Sequence, residues 1–70
     1  MPKYSMVLSW SEEDQAYIVS VPELPGCMAD GKTPEEAGKE AQTVIELWIE
    51  TALEDGEEIP KPHLFRDVAV

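Results

Sequence analysis

Carboxylates are the one chemically active group present in number. Fifteen Asp and Glu stand against five Lys and Arg, one His and one Cys in 70 residues. Clustered carboxylates can hold two metal ions for phosphodiester cleavage, and that chemistry needs three or four of them converging from strand interiors. The pattern here differs. Asp14 and Asp30 stand in polar stretches that read as turns, where Asp is favoured for bonds to its own backbone. Glu46, Glu50 and Glu54 recur every fourth residue, which puts them on one face of a helix rather than around a pocket. Asp67 alone falls inside a predicted strand. Catalysis is therefore not expected, and neither a metal nor a cofactor is expected. Cys27 and His63 are too far apart in sequence to suggest a shared ligand set. His63 reads as a connector residue beside Pro62. Cys27 reads as buried and inert, because a reactive thiolate needs an electropositive setting that this chain lacks.

What carboxylates at this density can do is attract bases. The net charge is -10. Such a balance opposes direct nucleic-acid binding, which rests on Lys and Arg at phosphates. It suits a basic protein partner, through complementary fields. The Glu46–Glu50–Glu54 ladder costs helix stability, about 0.2–0.5 kcal/mol for each like-charged neighbour pair. Glu54, Asp55, Glu57 and Glu58 add negative charge at the negative end of the helix dipole. The ladder is the candidate partner-binding surface. The plain alternative is a solvated face that keeps a small protein soluble.

The elements that must position these groups are legible. Residues 4–10 alternate as a strand, with Tyr4, Met6, Leu8 and Trp10 on one face and Ser5, Val7 and Ser9 on the other. A polar loop over 11–15 leads to a second strand over 16–21, with Tyr17, Val19 and Val21 on one face and Ile18 on the other. The two read as an antiparallel hairpin. Pro22 and Pro25 each fix their own φ and extend the residue before. Gly26 and Gly31 are read as permitting backbone that a Cβ disfavours. A short third strand covers 27–29 and ends at Asp30-Gly31. Thr33 then caps a helix, Pro34 takes its first position, and Glu36 closes a capping box. The helix runs over 34–55, about 33 Å at 1.5 Å per residue. Its apolar stripe is Ala37, Ala41, Val44, Ile45, Trp48, Ile49 and Ala52. Gly56 stands where a left-handed C-cap belongs. Gly38 is unfavourable inside a helix by about 1 kcal/mol relative to Ala, and it reads either as a site of close packing or as a tolerated defect. Trp10 and Trp48 are core or interface residues. Residues 59–62 form an extended connector, and 63–70 a last strand.

These elements make one α+β domain over residues 1–70, of β-β-β-α-β order: an antiparallel sheet with one long helix across one face. One cysteine excludes an intrachain disulfide. A core this small is marginal, so a homo-oligomer is expected, with the uncovered sheet face in need of polar residues or a partner. No apolar run approaches the roughly 20 residues that span a membrane, and the N-terminus lacks a signal-peptide pattern. A cytoplasmic protein without membrane contact is expected.

The residues that carry a resemblance are Tyr17, Val21-Pro22-Glu23-Leu24-Pro25-Gly26-Cys27, Gly31, Thr33-Pro34-Glu35-Glu36-Ala37, and Leu47-Trp48 within the long helix. In this order and spacing, over about residues 4–62, the chain resembles the HicB-like antitoxin family. The resemblance implies a partial ribonuclease-H-like fold. It also implies neutralisation of a small basic HicA-like toxin, an RNA-cleaving enzyme with a double-stranded-RNA-binding-like fold, by covering its RNA-binding surface. Typical members carry a C-terminal ribbon-helix-helix or helix-turn-helix segment for operator DNA. No such segment is expected here, and neither is autorepression. An orphan homo-oligomer without a toxin is the alternative, and a residual metal-dependent nuclease the remote one.

Overall fold

Residues 4–62 are described by the computed structural model. Alternation of apolar and small polar residues gives three short strands: β1 (Val7–Ser11), β2 (Ala16–Ser20) and β3 (Met28–Gly31). They form one antiparallel sheet in the order β1-β2-β3. Helix α1 (Pro34–Glu54) follows and lies against β3 and β2. The α+β class and the single long helix are as expected. The expected last strand over 63–70, with His63, Arg66 and Asp67, lies outside the described residues.

The register sorts the side chains. Val19 pairs with Leu8 and Ala29, and Tyr17 with Trp10 and Gly31. Val19 packs with Ala37 and Ala41 of the helix, so this set shares the helix side. Val7, Ser20 and Met28 form one row on the opposite side, and Ser9, Ile18 and Asp30 the next. Three of the helix's buried positions are alanines, Ala37, Ala41 and Ala52, which let its backbone lie close to what it covers. Beyond the sheet, α1 rests on the loop between β2 and β3: Val21, Leu24, Cys27 and Ile45 form a second buried cluster, flanked by Tyr4, Val44, Trp48 and Ile49.

Four expectations are corrected in detail. β1 starts at Val7, not at Tyr4, because the preceding residues bond elsewhere. The Ser5 N–H donates to the two carboxylate oxygens of Glu23 at 3.2 and 3.1 Å, its hydroxyl donates to one of them at 2.9 Å, and the Tyr4 hydroxyl donates to the Pro60 carbonyl. β3 is shifted onward, so Cys27 belongs to the loop and Asp30 to the strand rather than to a turn. Gly31 does not have a positive φ; it is needed for space, since a Cβ there would stand 2.5 Å from the Ala37 nitrogen. Of the two readings of Gly38, close packing is the one corrected, because nothing lies within 4 Å of where a Cβ would sit, as a tolerated defect requires.

Candidate functional site

The loop that carries most of the sequence motif is a folding device. Val21 N–H donates to the Cys27 carbonyl, Leu24 N–H to Val21, and Cys27 N–H to Leu24, each at 3.0 Å. Gly26 takes φ +77°, which only a residue without a Cβ adopts freely. Pro22 and Pro25 stay exposed, while Leu24 is fully buried beneath the helix. The Trp48 indole N–H donates to the Pro25 carbonyl at 3.0 Å and ties the helix to the loop. Tyr17 packs edge-on against Trp10, with ring centroids 5.0 Å apart. Thr33 caps α1, its hydroxyl accepting from the Glu36 N–H at 3.1 Å. Among the described residues the Glu36 carboxylate makes no bond back to Thr33, so the capping box is half formed.

The helix end is built as the residues dictate. Asp55 is the C-cap, and Gly56 takes φ +72°. Gly56 N–H donates to Leu53 at 3.1 Å and Glu57 N–H to Ala52 at 2.8 Å, the paired bonds of a Schellman motif. This turn leaves Glu54, Asp55, Glu57 and Glu58 exposed around a helix end with no base in its last turn. Carbonyls and carboxylates there add to one negative field.

Glu46, Glu50 and Glu54 all lie exposed on α1. Helical spacing places a second row across the first: Leu47 and Leu53 stand three residues either side of Glu50. They are 56 % and 63 % exposed, among the most open apolar side chains of the described chain. The predicted stripe already omitted both leucines, so their exposure was readable, although the sequence reading drew nothing from it. Along one flank of the helix's C-terminal half, Val44, Leu47, Trp48, Thr51, Ala52, Asp55 and Glu57 line a shallow groove of about 380 Å³. Apolar floor, acidic rim and acidic ladder together form a surface suited to a basic partner with an apolar anchor.

Cys27 is buried, and that burial pushes its thiol above the ordinary value. Among the described residues, no three of His, Cys, Asp and Glu come together as a metal site. Asp14 lies in the hairpin turn, where its N–H donates to the Ser11 hydroxyl and its carboxylate accepts from it, both at 3.2 Å. No helix among the described residues is long and apolar enough to cross a membrane.

Comparison with known proteins places the motif. The family model described as a HicB-like antitoxin of bacterial toxin-antitoxin systems matches residues 4–69. A UPF0150 protein of Thermoplasma acidophilum is 39 % identical over 59 residues, 84 % of each chain. A UPF0150 protein of Archaeoglobus fulgidus is 39 % identical over 57 residues, 79 % of this chain and 81 % of the relative. A 14.9 kDa protein from the rep-hol intergenic region of Haemophilus phage HP1 is 48 % identical over 48 residues, 69 % of this chain but 36 % of the phage protein.

Proposed function

The chain belongs to the HicB-like antitoxin family of bacterial toxin-antitoxin systems, and from that premise we propose that it is a non-enzymatic antitoxin that covers the RNA-binding surface of a small basic HicA-like toxin. The observation that carries the reading is the exposed Glu46–Glu50–Glu54 ladder, which has no base in the helix's last turn to balance it. An RNA-cleaving toxin must present Lys and Arg to phosphates. A surface of carboxylates in a helical row competes for those same groups. Leu47 and Leu53 beside Glu50 supply the apolar contact that holds a complex once charge has steered it together. The protein works in the cytoplasm, as a homo-oligomer, and does not itself hold nucleic acid. The finer fold, of β-β-β-α-β order with a partial ribonuclease-H-like sheet, belongs to the same proposal.

The test co-expresses this chain with a small basic HicA-like toxin. Wild type should restore growth of cells that express it. Glu46→Lys with Glu50→Lys should slow association at low salt by about tenfold or more. An unchanged on-rate, with a toxin that does bind wild type, removes the ladder from the interface.

A further inference from the structure

We propose that the sheet face turned away from α1 is the surface through which two copies of this chain associate. Every acid pointing at a second copy repels its twin, so self-association of a chain with net charge -10 needs a face poor in carboxylates. The strands provide one. Val7, Ser20 and Met28 form one row across the face, and Ser9, Ile18 and Asp30 the next. Asp30 is the sole charged residue within the three strands. Asp14 approaches the same end of the face, where it lines a shallow depression with Ile18, Met28 and Asp30. Val7 and Met28 are 50 % and 56 % exposed. Ser20 between them and Ser9 in the next row are small enough for a second sheet to come within the roughly 10 Å of packed sheets.

The charge distribution decides the occupant. A basic partner is drawn to the carboxylates of α1, which lie on the other side of the molecule. A second copy is repelled from that side by the same carboxylates and fits the sheet face, which carries fewer of them. A two-fold arrangement with antiparallel strands sets the Val7–Ser20–Met28 row over the Ser9–Ile18–Asp30 row of its twin, which keeps the Asp30 carboxylates apart. Three strands make a small face, so the association belongs to the weak, micromolar class. The inference specifies the surface behind the self-association in the proposed function and is independent of any toxin.

Sedimentation of the isolated full chain tests it. Wild type should associate in the micromolar range, more tightly at 0.5 M than at 0.05 M salt, because salt screens like charges. Met28→Asp or Val7→Asp should raise the dissociation constant by about tenfold or more. Both sites are open, so neither change disturbs the core, which circular dichroism will confirm. Leu53→Asp on α1 adds the same charge elsewhere and should change the constant less than about threefold. Association that survives Met28→Asp, or falls as much with Leu53→Asp, overturns the face while leaving the oligomer intact. A monomer at about 100 μM in both salts overturns self-association itself, and association weakened by salt overturns the charge argument.

Discussion

Gly31→Ala is expected to be the most damaging single-methyl change in the described chain. A Cβ at this position would lie 2.5 Å from the Ala37 nitrogen and 2.8 Å from both the carbonyl carbon and the Cβ of Glu36. Ordinary contact begins near 3.4 Å, so the closest overlap is about 0.9 Å. The obstacles are the backbone of the first helical turns and a Cβ on it, so no flexible side chain can swing aside. The helix start must retreat from β3, and Ala37 and Ala41 lie there against Val19. Overpacking of this kind costs about 1–3 kcal/mol, and rigid neighbours put it at the upper end. For a domain of this size each kcal/mol moves the melting temperature by about 4–8 °C, so a loss of roughly 10–20 °C is expected. Thermal and urea melts followed by circular dichroism measure it. Gly38→Ala is the internal contrast. It stands within α1 with open space around the new methyl, and should stabilise by about 0.5–1 kcal/mol. A Gly31→Ala melting temperature within about 3 °C of wild type would refute the close approach of helix and strand.

Three further outcomes follow from the same structure. Thr33→Ala removes the one cap bond present and should cost about 0.5–2 kcal/mol, whereas Glu36→Ala should cost clearly less; equal losses in urea melts would mean that the full capping box forms in solution. Trp48→Phe removes the indole bond to the exposed Pro25 carbonyl and part of the ring packed on the loop cluster, and should lower stability by about 1 kcal/mol; an unshifted urea midpoint would mean that water replaces the indole bond and the smaller ring repacks at no cost. Cys27 should resist alkylation at pH 8 until the protein unfolds, and its raised folded-state value makes the thiol form stabilising at low pH, with that contribution lost as pH rises through and above the ordinary thiol value of 9.0. Rapid native-state modification would show the thiol to be open.

Much of the candidate site was legible because it is local. The Glu46–Glu50–Glu54 face follows from a four-residue repeat and the pitch of a helix. Gly56 could be placed as the left-handed C-cap because few other residues fit there. Leu47 and Leu53 lay outside the predicted stripe, so their exposure was implicit in the same periodicity. Spacing alone did not distinguish a tolerated from a required glycine. Gly31 and Gly38 differ only in what lies beside them, and that is a question of tertiary distance.

The sequence by itself determined the order of elements within the described residues, the helix with its Thr33 cap and Gly56 stop, the acidic outer face and the antitoxin family. Each of these rests on residue type and on separations of a few positions, where backbone geometry leaves little choice. Tertiary structure alone decided which strand the helix leaves open. Leu8 and Trp10 point to the helix side yet stay 47 % and 46 % exposed, because α1 lies over β3 and β2. It also decided that Tyr4 and Ser5 leave the sheet to bind Pro60 and Glu23, partners 56 and 18 residues away. Such bonds depend on where distant segments meet after collapse, and no local periodicity encodes that meeting.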